Sequence, residues 1–277
     1  MTDHLAINRA NWDERVDAHA RSKSYRVDEL ASDPAAISGV VEFDRRVVGD
    51  VTGLKVLHLQ CHIGTDTVSW GKLGAREVVG YDFSQPALDV AADLAKRAGV
   101  AARWYCGDLY DAPEVIGDEA FDLVYTGVGA IGWLPDIRGW AEVVGHFVAP
   151  GGRFFIRDAH PVLNALDYED PERLSIIYPY FETNEPMVFD EGGTYVDHDV
   201  AFEHNRTVEW NHGLAETIQA LLDVGLLLDD VAEHTFTDWQ PFDRFEQTDP
   251  DLGHWALREE VRSHLPTMFH LLMHRPR

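Results

Sequence analysis

Val56-Leu57-His58-Leu59-Gln60-Cys61-His62-Ile63-Gly64-Thr65 is the stretch whose reading decides the fold. Its first part, Lys55 to Gln60, is an apolar run too short for a buried helix and right for a buried strand. Gly64 supplies the backbone freedom for a tight turn, and a helical pattern follows from Thr65 to Leu73. Strand, tight turn and helix in immediate succession open an alternating α/β arrangement.

Outward from that turn the alternation repeats. Glu77 to Asp82 reads as a second strand, and Ser84 is then a helix N-cap with Pro86 tolerated in the first turn. Ala87, Leu88, Ala91, Leu94, Ala95 and Ala98 recur at helical spacing, and Gly99 closes that helix. Ala102 to Cys106 is a third strand and Phe121 to Thr126 a fourth. Ile137 to Phe147 is helical, and Pro150-Gly151-Gly152 turns the chain into a fifth strand, Arg153 to Asp158. The pattern predicts an α/β fold with a parallel sheet covered on both faces.

The flanks are less regular. Residues before 50 read as two or three helices, one starting at Asp33-Pro34. Pro161 to Asn205 breaks the alternation, is rich in Tyr, Phe, Pro and acid, and has the length of a functional lid. Asn211 to Val224 is helical, with Gly225 as its cap, and Leu226 to His234 and Thr267 to His274 are two further strands. The expected organisation is a helical cap over 1–50, an α/β core over 51–160, a lid over 161–205 and completion of the core sheet over 206–277.

Composition narrows the partners. With 277 residues, 45% hydrophobic and 26% charged, the chain has enough apolar material for a large core. Its net charge of −25 repels phosphate backbones and anionic lipid, so nucleic acid and bare membrane are not expected partners. The same charge also serves solubility alone. Cys61 and Cys106 both lie in apolar runs and read as buried free thiols of a reducing compartment. With no signal-like N-terminus and no apolar run of membrane length, the expected location is the cytoplasm.

In an open α/β sheet, ligands bind beyond the carboxyl ends of the strands, where strand order reverses. Four such ends are informative. Gln60 to Thr65 leads into a helix whose first amides suit a carboxylate. Asp82 closes the second strand at about the 20-residue spacing of an acid that hydrogen-bonds a ribose diol. Gly107-Asp108-Leu109 offers an acid and an apolar residue to pinch an adenine. Thr126-Gly127-Val128-Gly129 is a small-residue stretch that lets a ligand approach the backbone.

Taken together, these motifs resemble class I S-adenosylmethionine-dependent methyltransferases. Val56 to Gly64 resembles that family's first motif, Val-Leu-Asp-Leu-Gly-Cys-Gly-x-Gly. Gly80-Tyr81-Asp82-Phe83-Ser84 is similar to its second-strand motif, Gly107-Asp108 to its adenine-side acid, and Phe121-Asp122-Leu123-Val124 to its fourth strand. Pro150-Gly151-Gly152 corresponds to the turn before the fifth. The spelling Leu-His-Leu-Gln-Cys-His is similar to a bacterial subgroup of these enzymes. The resemblance is motif by motif over about residues 50 to 160 and looser beyond.

It implies a Rossmann-like, seven-stranded, mostly parallel sheet whose last strand is antiparallel. It also implies an enzyme that uses S-adenosylmethionine, releases S-adenosylhomocysteine and methylates a small-molecule acceptor by in-line displacement. Carried over residue by residue, the methionine part falls to Gln60, His62 and Gly64, the ribose to Asp82 and the adenine to Asp108. Phe83, Leu109, Thr126 and Gly127 complete the expected cofactor site.

The departures are His58 for Asp, and Gln60 and His62 for two glycines, which put side chains where backbone usually meets the ligand. They leave open a non-catalytic cofactor-binding or ligand-sensing protein on the same fold. The absence of Gly-x-Gly-x-x-Gly argues against a dinucleotide site.

On the acceptor side the candidate catalytic residues are His160 and His212, with a structural histidine bonded to a backbone carbonyl as the competing reading for each. Tyr178, Tyr180 and Tyr195 of the lid are candidates for the acceptor wall, with core packing as the competing role. Trp12 and Tyr25 are placed to close over the cofactor, and His58 reads as a core histidine. No His-Glu-x-x-His or Cys-x-x-Cys frame occurs, so no metal is expected. Oligomeric state is not legible.

Overall fold

The computed structural model describes residues 3–170, 173–196, 200–250 and 252–277. Three helices open the chain, α1 (His4–Arg21), α2 (Val27–Ser32) and α3 (Gly39–Val48). The core follows as β1 (Lys55–Leu59), α4 (Thr65–Lys72), β2 (Glu77–Asp82), α5 (Gln85–Ala98) and β3 (Ala102–Cys106). It continues with α6 (Ala112–Ile116), β4 (Phe121–Thr126), α7 (Ile137–Phe147) and β5 (Val148–Ala159). The insertion holds α8 (Pro161–Asn164) and β6 (Met187–Asp190), and β6 pairs antiparallel with β7 (Arg206–Glu209). After α9 (Leu214–Asp223) come β8 (Leu227–His234), β9 (Phe245–Asp249), β10 (His254–Leu257), α10 (Glu259–Arg262) and β11 (Met268–His274).

Seven strands form one sheet in the order β3-β2-β1-β4-β5-β11-β8. β1 pairs in parallel with β2 on one side and β4 on the other, so the strand order reverses at β1. β11 runs antiparallel to both β5 and β8, as expected for the last strand. Alternation along β1 divides the core. Leu57 and Leu59 pack with Val124, Trp140, Phe154 and Phe269 on one face. Val56 packs with Trp70, Leu123 and Phe155 on the other. A third cluster, Val16 and Leu30 with Ile63, Val68 and Leu94, seats the N-terminal helices on α4 and α5.

Local signals explain most boundaries. Ser84 caps α5 by accepting from Ala87 N, and Gly99 ends it with a φ of 70°. Other boundaries differ from the sequence reading. Asp33-Pro34 starts no helix: the Asp33 carboxylate accepts from Ala35 N in a tight turn, and α3 begins at Gly39 under the cap of Ser38. The fifth strand starts earlier, at Val148, because the Pro-Gly-Gly turn is absorbed into it. Cys61 is buried, whereas Cys106, at the end of the edge strand β3, is exposed. Among the described residues no helix is long and apolar enough to cross a membrane.

Gly193 and the stretch 204–208 are held to α1 by polar pairing. The inward stripe of α1 is Asn8, Asn11, Arg15 and His19, all buried. Asn8 pairs with the backbone of Val208 in both directions. Asn11 donates to the carbonyls of His204 and Asn205, and Arg15 to those of Gly193 and His204.

Candidate functional site

The turn after β1 has an unusual backbone. Gln60, His62 and Gly64 take φ values of 57°, 49° and 73°, the left-handed region at three alternate positions. The family pattern has glycine at all three, so the glycine backbone shape persists although two of the glycines do not. Glycine is obligatory at 64: a Cβ there would stand 2.6 Å from Ala91 Cβ and 2.7 Å from the Trp104 ring.

Asp82 stabilises this turn from β2. One carboxylate oxygen accepts from His62 N at 2.7 Å and the other from Ser84 N at 2.9 Å. Burial raises its pKa to about 6, against the lowering pull of those amides. From the far side, Asp158 at the end of β5 accepts from Gly129, Ala130 and Ile131 amides at 2.6–3.0 Å. Gln60 Nε2 donates to Ala130 O at 2.8 Å, tying the first turn to the loop after β4. Asp158 was legible only as a strand end, because nothing in its sequence neighbourhood marks the loop it organises.

A narrow cleft of about 40 Å³ lies at these strand ends, lined by Gln60, Asp82, Phe83, Asp108, Leu109 and Trp133 and by His4, Leu5 and Asn8 of α1. Asp82 and Asp108 therefore border one space. The His62 ring packs edge-on to Trp12 at 5.1 Å and lies 5.0 Å from His19. His62 Nε2 is 3.2 Å from His19 Nδ1, and His19 Nε2 is 2.7 Å from Thr194 Oγ1. Tyr25 and Tyr195 join hydroxyl to hydroxyl beside this cluster. Burial lowers the pKa of His62 and takes that of His19 to about 4, so both imidazoles are neutral at pH 7.

Several polar atoms around the turn are buried without a protein partner: Gln60 Oε1, His62 Nδ1, Trp12 Nε1, Thr126 Oγ1 and His58 Nε2. Unpaired buried polar atoms are costly and call for a partner. The set fits an amino-acid end group. An indole N–H donates to a carboxylate, an amide oxygen accepts from an ammonium, and a neutral imidazole does either. With the two aspartates and the apolar Leu109 and Phe83 in the cleft, the residues match the parts of S-adenosylmethionine.

The other candidates are dispersed. His160 caps α8 through Nδ1, accepting from Val162 N, and its Nε2 is 2.9 Å from Glu233 Oε1. His212 places Nε2 against the carbonyls of Ile131 and Leu134, and Nδ1 2.9 Å from Glu182. It thus braces the loop that carries Trp133. Tyr178 packs on Phe189, and Tyr180 on Phe181 with its hydroxyl toward Leu214 N. Of the lid tyrosines named above, Tyr195 alone joins the cluster around His62. Thr126 and Gly127 lie at the end of β4, with Gly127 beside His58 and Asp66. Among the described residues no group of three His, Cys, Asp or Glu side chains is placed to hold a metal ion.

Residues 56–152 match the family model described as "Methyltransferase domain". That match covers about a third of the chain and marks a methyltransferase domain there.

Ribosomal protein L11 methyltransferase of Chromobacterium violaceum is 30% identical over 139 residues, 50% of this chain and 41% of that protein. The 2-phytyl-1,4-naphtoquinone methyltransferase of Synechococcus elongatus is 33% identical over 112 residues, 39% of this chain and 47% of that protein. The chain thus spans less than half the length of these two relatives. In fold it is similar to an S-adenosylmethionine-dependent methyltransferase from Mesorhizobium loti, with a TM-score of 0.59 at 20% identity over 86% of this chain and 98% of that one. A glycopeptide N-methyltransferase, MtfA, solved with S-adenosylmethionine, gives a TM-score of 0.51 at 16% identity over 88% and 97% of the two chains.

Proposed function

We propose that the protein transfers the methyl group of S-adenosylmethionine to a small-molecule acceptor. The sulfonium supplies an electrophilic methyl, so the acceptor's lone pair forms the new bond as the carbon–sulfur bond breaks. Asp82 is assigned to the ribose, Asp108 to the adenine side, and Gln60, His62 and Trp12 to the amino-acid end. Helix α1 and the segment around Thr194 exclude water, as displacement on a bound electrophile needs mainly positioning and a dry pocket. The observation that carries this reading is the set of buried, unpartnered atoms Gln60 Oε1, His62 Nδ1 and Trp12 Nε1 at a turn whose backbone keeps the glycine conformation. The cover of α1 over the cleft favours a small acceptor over a protein surface, and the acidic chain favours a neutral or cationic one.

A non-catalytic sensor is the competing reading, favoured by the side chains of Gln60 and His62 at positions where the family has none. Incubation with methyl-tritiated S-adenosylmethionine and a metabolite extract separates the two. Label in the small-molecule fraction is expected. Label confined to macromolecules overturns the acceptor class, and no transfer at all favours the sensor.

A further inference from the structure

Trp133 lines the cleft together with Gln60, Asp82 and Leu109. Its ring is fixed in place. The indole Nε1 donates to Gly129 O at 2.7 Å, four residues back in the same loop. The loop is bound in turn from several elements. Asp158 on β5 accepts from the amides of Gly129, Ala130 and Ile131, and Gln60 Nε2 donates to Ala130 O. Gly132 O accepts from Trp210 N at 2.8 Å, and His212 Nε2 lies 3.1 Å from Ile131 O and 2.9 Å from Leu134 O. A side chain locked by such a supporting shell meets a ligand without reorganising.

What a locked indole offers follows from its chemistry. Its single polar group is the N–H, and here Gly129 O takes it. The rest is carbon with a negative π face, which attracts a cation and gives a neutral atom contact alone. A wall that needs contact alone is served by leucine, as at Leu109 and Leu134 of the same cleft.

Position indicates which cation is meant. Asp82 and Asp108 stand at the strand ends to one side of β1, whereas Trp133 follows β4 on the other side. Its loop is tied to Gln60 through Ala130 O, and its ring packs edge-on to Trp12 at 5.3 Å. With the ribose assigned to Asp82 and the amino-acid end to Gln60 and Trp12, the sulfur falls between them, along the wall that Trp133 supplies.

We propose that Trp133 recognises the sulfonium of S-adenosylmethionine through its π face and so favours the methyl-bearing cofactor over the spent one. This rests on the methyltransferase reading above. In the transfer the acceptor's lone pair takes the methyl carbon and sulfur keeps the electrons of the broken bond, so the sulfonium becomes a neutral thioether. The attraction to Trp133 ends at that step, while the contacts of Asp82, Asp108 and Gln60 persist in S-adenosylhomocysteine. The carboxylate of Asp82 attracts a cation as well, but altering Trp133 alone leaves that pull constant. The α-ammonium is common to both molecules, so comparing them isolates the charge on sulfur.

Titration calorimetry of the full chain with S-adenosylmethionine and with S-adenosylhomocysteine tests the assignment. Trp133→Leu should weaken S-adenosylmethionine about 5-fold and S-adenosylhomocysteine by less than about 2-fold. Trp133→Phe keeps a weaker π face and should weaken S-adenosylmethionine about 2-fold, with S-adenosylhomocysteine unchanged. Equal weakening of both molecules would make Trp133 a plain apolar wall or a partner of the ammonium, and would overturn the assignment. No change in either would do the same. The Phe variant decides by the same ratio if the Leu variant does not fold. If the wild-type chain binds neither molecule, the methyltransferase reading itself fails and this inference falls with it.

Discussion

Asn8 on the first helix pairs with the backbone of Val208 in both directions, its Nδ2 donating to the carbonyl at 2.7 Å and its Oδ1 accepting from the amide at 2.8 Å. One side chain thus imitates a neighbouring strand and fastens β7 to the first helix. Asn8 also borders the cleft. Asn8→Ala leaves a buried amide and carbonyl unpaired, which costs about 1–3 kcal/mol per group. Urea denaturation should show that loss, and stopped-flow displacement should show faster release of S-adenosylhomocysteine. Unchanged stability and release would mean that β7 is held elsewhere.

Gln60 takes a glycine's backbone shape while carrying a side chain. Gln60→Gly removes about 1 kcal/mol of left-handed strain, offset by about 0.5–1 kcal/mol from the freer unfolded chain. Stability should therefore change by less than about 1 kcal/mol. Affinity for S-adenosylmethionine should fall about 5–10-fold, because the unpartnered Oε1 is lost. A gain in affinity would show that the side chain obstructs the cofactor.

Beneath the sheet, Arg157 is fully buried between Asp44 and Asp238, with its guanidinium 4.9 Å from the Phe43 ring centre. Asp44 also accepts from Tyr125 OH at 2.6 Å. Asp44→Ala strands the arginine and should cost about 3–5 kcal/mol. Chemical denaturation measures it, and a loss below about 1 kcal/mol would show that Asp238 suffices to balance the charge.

Stability should also depend on pH through the buried histidines. His58 and His19 have pKa values of about 3 and about 4 in the fold. In the unfolded chain each takes up a proton below about pH 6.5. The unfolded state then binds more protons than the native one, so their contribution is lost as pH falls from 6.5 toward 4. Asp66 and Asp82, at about 7 and about 6, act in the opposite sense, because the fold keeps protons that the unfolded chain releases near pH 4. His58→Asn should shrink the difference in unfolding free energy between pH 7 and pH 5 by about 1–2 kcal/mol. An unchanged difference would contradict a neutral buried His58.

The sheet was legible because β1 to β5 alternate with helices whose apolar spacing and caps are regular, as at Ser84 and Gly99. That Asp82 and Asp108 border one cleft was legible for the same reason: both sit where strands end. The cap and lid were not. The buried stripe of α1 is Asn8, Asn11, Arg15 and His19, which carries no hydrophobic period, and its partners lie some 200 positions away in the chain. His160 and His212 drew attention by type and position, yet the fold engages both their ring nitrogens.

If the first turn, Asp82 and Asp108 together form one nucleoside site, calorimetric titration with S-adenosylhomocysteine will show one-to-one binding in the micromolar range, weakened about 10-fold or more by Asp82→Asn and by Asp108→Asn separately. Absence of heat at high protein concentration, or binding indifferent to both substitutions, would contradict it.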